Sequence, residues 1–380
     1  MWPELETELR QRESAGRKRT LRQVPADLLD AASNDYLGLS QDPQVVEAAR
    51  DAAARFGAGA RASRLVSGHF ALAQELETEL ARFKKAEAAL VFSSGFAANV
   101  GVLSALSNGE TTLFCHKRNH ASLLDGCRLS EAKGATTRFF DSLAKLRALL
   151  ERSQAKRRIV VADGVFSMDG DVLPLPDVLS LCDEFDAVLV LDDAHGTGTL
   201  GATGRGLEEH FGAWSERIVL VGTLSKALGS QGGFVCASRL VVDYLLNFAP
   251  PFIYSTGLNP PAVGAALAAL RVLEHEPERV ARCRGNADFL AQQLFANGYA
   301  VRFSGSPILP VLVGDEQKAL ELSAQLEERG VWCPAIRPPT IARGTARLRL
   351  AACSEWGNED LDRIVNAFSF PPQMDAEGRR

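Results

Sequence analysis

Short apolar runs alternate with polar loops through the middle of the chain. Residues 88–92 lead into the loop 93–99, 111–115 into 116–120, 158–162 into 163–170, 187–191 into 192–198, and 217–222 into a Gly- and Ser-rich stretch around Lys226. Runs of this length, rich in Val, Leu and Ala and closed by Gly or polar residues, predict buried strands. Helical spacing fills the intervals between them. Such alternation predicts an α/β fold with a mostly parallel central sheet covered by helices on both faces. Upstream, the pattern predicts a charged surface helix over 4–22, an Asn-Asp bend at 34–35, helices over 44–56 and 71–82, and a Gly/Ala/Ser loop between those two. From about Pro250 the texture changes. Two long helices, 261–275 and 279–297, precede a smaller α+β segment with elements at 308–313, 317–329, 331–336, 346–351 and 360–368. The chain therefore divides into an N-terminal segment (1–45), a large domain (46–245) and a small C-terminal domain (246–380).

The chain has 380 residues, 46% hydrophobic and 23% charged, which is ordinary for a globular protein with a large core and argues against disorder. The net charge of -5 gives no reason to expect nucleic acid or anionic lipid as a partner. The basic cluster Arg17-Lys18-Arg19 with Arg22 reads as a solvated helix end. The 7 cysteines are scattered with no CxxC spacing, so they read as reduced core thiols of a cytoplasmic protein. No apolar run approaches the ~18 residues of a membrane span. The opening Met1-Trp-Pro-Glu-Leu-Glu is acidic where a signal peptide is basic and then apolar.

In open α/β sheets, ligands bind beyond the carboxyl ends of the strands. His120, Ser167, Asp192, His195 and Lys226 each fall just past such an end, and five loops aimed at one edge point to a site. Lys226 sits among small and hydroxyl residues. A desolvated lysine has a depressed pKa and can form a Schiff base, whereas the alternative is a lysine in an exposed strand–helix loop. Asp192 ends an apolar run, so its carboxylate needs a partner, and a protonated pyridine nitrogen is one. The alternative, an Asp-x-x-His metal pair with His195, has no third ligand nearby, and no metal is expected. Gly95 and Phe96 would present backbone N–H groups at a helix start, a phosphate seat or an ordinary strand–helix turn. His120 is open between a ligand role and a capping or core histidine. Gly57-Ala-Gly-Ala-Arg-Ala62 imitates a dinucleotide fingerprint but follows a helical segment, not a strand, and is set aside.

Together, Asn34-Asp-Tyr-Leu-Gly-Leu, Ser94-Gly-Phe-Ala-Ala-Asn, Asn119-His-Ala-Ser-Leu, Gly164-Val-Phe-Ser-Met-Asp-Gly-Asp, Asp192-Asp-Ala-His-Gly-Thr-Gly, Thr223-Leu-Ser-Lys, Ile336-Arg-Pro-Pro-Thr and Thr345-Ala-Arg-Leu-Arg-Leu resemble the α-oxoamine synthases. These are pyridoxal 5'-phosphate enzymes of the type I aminotransferase fold, and the resemblance covers essentially the whole chain. The short N-terminus and the 336–350 stretch look most like the branch that makes 8-amino-7-oxononanoate in biotin biosynthesis. The resemblance implies that Lys226 carries the Schiff base and moves the Cα proton, that His120 stacks on the pyridine ring, and that Asp192 pairs with the ring nitrogen. It implies His195 and Ser167 near the ring oxygen, and Gly95, Phe96 and Thr223 on the phosphate, joined by Thr256 from the second subunit of a homodimer. Asn34 and Arg349 would orient the substrate carboxylate, and Arg19 and Thr340 would touch the acyl substrate.

The implied reaction condenses L-alanine with pimeloyl-CoA, or a pimeloyl carrier-protein thioester, releasing CO2 and the thiol. A sister synthase using glycine or serine with another acyl-CoA is the alternative. A non-catalytic relative is a third reading, opposed by the presence of Lys226, Asp192 and His120. The chain departs from the family pattern at Arg61 in a less Gly-rich loop, at His69 where Tyr is usual, and at Asp163 where Glu is common.

Overall fold

The computed structural model describes residues 2–14 and 17–369. Seven strands form the large sheet: β1 (Ala88–Phe92), β2 (Thr111–His116), β3 (Thr136–Phe140), β4 (Arg157–Asp163), β5 (Ala187–Asp192), β6 (Ile218–Thr223) and β7 (Gly233–Ala237). Their spatial order is β1-β7-β6-β5-β4-β2-β3. All neighbours are parallel except β7, which runs antiparallel to both β1 and β6. β1, β6 and β7 are buried along their whole length, as strands covered on both faces must be. One apolar cluster packs on each face: Leu189, Leu191 and Leu220 point to one, Val190, Val219 and Val221 to the other. That alternation is the two-residue period of a strand.

Two strands were not legible as alternating runs. β3 is the edge strand, Thr-Thr-Arg-Phe-Phe, and leaves Arg138 and Phe139 exposed, so its pattern is mixed. β7 begins at Gly233, the last glycine of the Gly- and Ser-rich stretch around Lys226, and was not marked as a strand.

A second, antiparallel sheet holds β8 (Ala300–Val301), β9 (Ile308–Gly314), β10 (Ala335–Ile336) and β11 (Ala346–Ala351), in the order β10-β11-β9-β8. The run 331–336 is not one strand. Pro334 has no N–H to give a ladder and splits it. Val331–Trp332 instead pairs in parallel with Leu29–Asp30, and Ala335–Ile336 pairs with β11. The segment around Ala31 is thereby built into the C-terminal part: Ala31 N donates to Trp332 O at 2.9 Å and Ala351 N to Ala31 O at 2.9 Å.

The first helix spans Pro3–Ser14, shorter than the 4–22 expected. Residues 17–28 form no helix or strand before the Leu29 strand. The Arg17–Arg22 cluster is accordingly not a free helix end. Arg17 and Arg22 pair with Glu316 and Glu327 of the helix Glu316–Glu328, at 2.7 and 2.6 Å. The helix Pro260–His275 lies against Pro43–Phe56. Gly264 permits the approach, since a Cβ there would meet Ala48 O and Ala52 Cβ at 2.7 Å. All seven cysteines are unpaired, six buried and Cys353 half-buried. Among the described residues no helix is long and apolar enough to cross a membrane.

Candidate active site

The carboxyl ends of β2, β4, β5 and β6 bring the polar residues together. β6 ends at Thr223, and the turn beyond it carries Lys226, whose Nζ lies 3.0 Å from His195 Nε2. Burial holds the lysine below its usual pKa. The Asp192 and Asp163 carboxylates pull the other way, and Arg349 adds to the depression. His195 follows the end of β5 and is 7% exposed. Burial and the neighbouring cations Lys226 and Arg349 keep its imidazole well below 6.5, hence neutral. Its Nδ1 meets the Tyr36 hydroxyl at 2.7 Å.

Tyr36 extends the chain of contacts. Its hydroxyl lies 3.0 Å from Asn34 Oδ1 and accepts from Arg349 Nη2 at 3.2 Å. Arg349 Nη2 also donates to Asn34 Oδ1 at 3.1 Å, and Arg349 Nε donates to the Ser167 carbonyl at 2.5 Å. Arg349 comes from β11, so the small sheet supplies a guanidinium to the edge of the large one. Ser167 therefore meets this cluster through its backbone oxygen.

Asp192 ends β5 and is 7% exposed. Its Oδ1 accepts from Ala194 N at 2.9 Å and its Oδ2 from Asn99 Nδ2 at 2.6 Å. Asn99 also donates to Ser122 Oγ at 2.9 Å, while its own Oδ1 is buried without a partner. His120 caps the helix Ala121–Glu131: its Nδ1 accepts from Ser122 N at 3.2 Å and meets Ser122 Oγ at 2.7 Å. The capping reading is thus correct for Nδ1, and it leaves the ring face uncommitted. The ring stands edge-on to Phe96, centroids 6.5 Å apart. Burial and Lys226 hold its pKa down against the pull of Asp192. Its backbone N donates to Asp163 Oδ2 at 2.7 Å.

Gly95 and Phe96 begin the helix Gly95–Leu106, capped by Ser94 Oγ, which accepts from Ala97 N at 3.0 Å. The first N–H groups of a helix have no partner in the preceding turn and point outward. Gly95 lies against Thr223, where a Cβ would stand 3.4 Å from Thr223 Cβ, and a Cβ on Gly233 would sit on Ser94 O and Gly95 N. The hydroxyls of Thr223 and Ser225, 2.7 Å apart, border the same space. The result is a cradle of helix-start N–H groups and hydroxyls, suited to an anion.

These groups fit pyridoxal phosphate. The cradle suits its phosphate and the Asp192 carboxylate its ring nitrogen. The His120 face suits the ring, and the Lys226 amine suits its aldehyde. Among the described residues no cluster of His, Cys, Asp and Glu could hold a metal ion, Asp192 and His195 included.

Three further positions lie apart from this cluster. Thr256 is exposed, and its backbone bridges to Ser63. Arg19 and Thr340, both exposed, touch each other, Arg19 Nη2 donating to Thr340 Oγ1 at 3.0 Å. Of the departing residues, Arg61 takes a left-handed φ of 69 and lies over the Phe70 ring at 5.7 Å. His69 meets Arg64 at 2.9 Å.

The sequence profile of the family described as aminotransferase class I and II matches residues 26–368. The chain belongs to that family. It is 43% identical over 376 residues to a protein of Exiguobacterium sibiricum named 8-amino-7-oxononanoate synthase, covering 96% of each chain. Among solved structures it resembles one described as SPT with PLP, with a TM-score of 0.90, 28% identity, and 97% and 96% of the two chains covered. It also resembles the 8-amino-7-oxononanoate synthase of Francisella tularensis, with a TM-score of 0.75, 29% identity, and 90% and 97% covered. The type I fold expected from the motifs is therefore the fold of this chain. Reasoning on single residues overlooked Asn99, Tyr36 and Asp163 as members of the site. The first two stand in quoted motifs, and the signal that marks them is a polar residue at a buried position.

Proposed function

We propose that this protein is a pyridoxal-phosphate-dependent acyltransferase that condenses L-alanine with a pimeloyl thioester, releasing CO2 and the thiol, to form 8-amino-7-oxononanoate. The observation that carries the chemistry is the unbroken set of contacts from Lys226 through His195 and Tyr36 to Asn34 and Arg349. It places an amine that gives up its charge readily beside a guanidinium–amide pair suited to a carboxylate. The relatives named above supply the choice of substrates.

When bound, pyridoxal phosphate supplies an electron sink for the carbanion at the alanine Cα. Lys226 would hold the cofactor through Nζ and, once the alanine amine has displaced it, would take the Cα proton on that same atom. His195, neutral, accepts or donates at Nε2 beside it. Arg349 and Asn34 hold the alanine carboxylate and so fix which Cα bond faces Lys226. Asp192 balances the charge on the ring nitrogen, and Asn99 orients that carboxylate. His120 covers the ring and keeps water from one face. Gly95, Phe96 and Thr223 anchor the phosphate. Ser167 frames the site through the carbonyl that holds Arg349.

Arg19 and Thr340 receive the acyl chain, delivered by CoA or by a carrier protein. We further propose a homodimer in which Thr256 reaches the phosphate of the other subunit. Its exposure and the exposed apolar side chains Leu240, Phe248 and Tyr254 nearby in sequence support this. The large unit 46–245 would bind the cofactor, the unit 246–380 would lend Arg349, and the protein would work in the cytoplasm.

The test is thiol release by the purified protein from pimeloyl-CoA with L-alanine, glycine or L-serine. Release that requires L-alanine supports the proposal. Activity only with glycine or serine and another acyl-CoA would instead favour a sister synthase. A yellow protein inert with every pair would keep the cofactor and discard the reaction.

A further inference from the structure

Tyr36 is 1% exposed, and its hydroxyl meets both halves of the site. On one side it touches His195 Nδ1 at 2.7 Å, whose Nε2 faces Lys226 at 3.0 Å. On the other it touches Asn34 Oδ1 at 3.0 Å and Arg349 Nη2 at 3.2 Å. A phenol has one proton and two acceptor sites. Arg349 can only donate, so it occupies one acceptor site. The single O–H then has two candidate acceptors, Asn34 Oδ1 and His195 Nδ1. If it goes to Asn34, Nδ1 of the neutral imidazole must be the donor and Nε2 is left free to accept from Lys226. If it goes to His195, Nε2 carries the proton and faces the Lys226 lone pair. A carboxylate arriving at Arg349 and Asn34 competes for their hydrogen bonds and so changes which choice is favoured.

We propose that Tyr36 is a positioning residue that couples occupation of the Asn34–Arg349 carboxylate site to the tautomer of His195, and through it to the proton state of Lys226. Alanine binding would thereby prepare the base that takes its Cα proton. Tyr36 itself touches no reacting atom. This inference rests on the functional reading above for its substrate, but its first readout does not.

The experiment compares the wild-type holoenzyme with Tyr36→Phe, which keeps the buried ring and removes only the hydroxyl. Selective ¹⁵N-histidine labelling of the 6 histidines, with His195→Gln to assign the signal, reads the His195 tautomer with and without L-alanine. The wild type should change its His195 nitrogen shifts on adding alanine, and Tyr36→Phe should not. In parallel, alanine affinity is read from the cofactor absorbance. Tyr36→Phe should weaken it about 10-fold, the scale of one lost hydrogen bond to a charged group. It should also lower kcat while leaving the KM for pimeloyl-CoA unchanged. The double variant with His195→Gln should lose less than the product of the two single losses, as groups acting in one network do.

A His195 signal that responds to alanine identically in wild type and Tyr36→Phe overturns the coupling. So do strictly multiplicative losses in the double variant. Failure of the wild type to respond to alanine by either readout overturns the coupling together with the choice of amino acid. If the wild type responds but releases no thiol from pimeloyl-CoA, only the acyl assignment fails. If Tyr36→Phe does not fold, Asn34→Ala relieves the same hydroxyl from the other side and must shift the resting His195 tautomer. An unchanged tautomer in that variant likewise overturns the inference.

Discussion

Asp163 and Asp192 are register partners at the carboxyl ends of the neighbouring parallel strands β4 and β5, so two buried carboxyl groups face the same side of the sheet one strand spacing apart. They are not equivalent. Asp192 is held by two N–H donors, from Ala194 and Asn99. Asp163 has the His120 backbone N–H, and burial together with the Asp192 charge raises its pKa well above that of a free carboxyl. Two such neighbours do not both ionise readily. Of the two, Asp163 is the carboxyl that burial and its neighbour make readier to hold a proton than a free one. Asp163→Asn should then mimic the resting state and keep kcat/KM within about 3-fold, with the same pH profile. Asp192→Asn removes the charge the ring nitrogen needs and should cost about 100-fold or more in kcat, with alanine affinity far less affected. Steady-state kinetics of both variants from pH 6 to 9 decide this. Equal damage from the two would contradict the assignment.

Gly233 opens β7 where it passes the start of the helix Gly95–Leu106. A side chain there has no room, because its Cβ would fall on Ser94 O and Gly95 N. Gly233→Ala should push the helix start away from Thr223 and spoil the anion cradle without emptying the core. Cofactor affinity should fall about 10-fold or more, corresponding to one or two lost hydrogen bonds to a phosphate. Titration of apoprotein with pyridoxal phosphate, followed by absorbance, measures it. Undiminished affinity would mean that the phosphate sits elsewhere.

Much of this was legible in the chain because two periodicities were clean. The strands carrying Asp163, Asp192 and Thr223 are continuous apolar runs ended by a polar residue, which is how a doubly covered sheet announces its carboxyl edge. His120 was ambiguous for a physical reason: Nδ1 caps a helix while the ring face remains free, so both readings describe the same residue. Tyr36 and Arg349 come from distant parts of the sequence and meet only in three dimensions. No spacing rule links them, although a buried arginine in the strand Ala346–Ala351 is a signal in itself. The 331–336 run misled because its apolar content fits one strand, whereas Pro334 divides it between two sheets.

Arg19 and Thr340, which the motifs assign to the acyl substrate, already touch across 321 residues of sequence, between the segment 17–28 and the loop before β11. Neither is placed by a contact with Lys226 or Arg349. Arg19→Ala should therefore raise the KM for pimeloyl-CoA about 10-fold and leave alanine affinity unchanged, since a long exposed arginine contributes through charge and reach. Thr340→Val removes the hydroxyl that holds Arg19 and should have a smaller effect of the same kind. A change in alanine affinity with no change in the acyl KM would reverse the assignment.

His116 ends β2 between the rings of Phe140 and Phe166, at 5.1 and 4.5 Å. Burial, aided by the Arg118 charge, lowers its pKa to about 4. His195 is depressed in the same direction. For both, the unfolded chain binds the proton more tightly than the folded one. The stability they permit is complete above about pH 6.5 and is lost as the pH falls from 6.5 towards 4. Asp163, raised by burial, acts in the opposite sense and is relieved by acid. A single variant separates these contributions. In His116→Asn the amide oxygen can replace Nδ1 as acceptor for Arg118 N, which that atom holds at 3.2 Å. The variant cannot charge, so its stability should fall by about 1–2 kcal/mol less than the wild type's between pH 7 and pH 4.5. Comparing the slopes of urea midpoints against pH, not the midpoints themselves, removes the cost of the smaller side chain. Parallel slopes for the two proteins would mean that His116 titrates normally and that the acid sensitivity lies elsewhere.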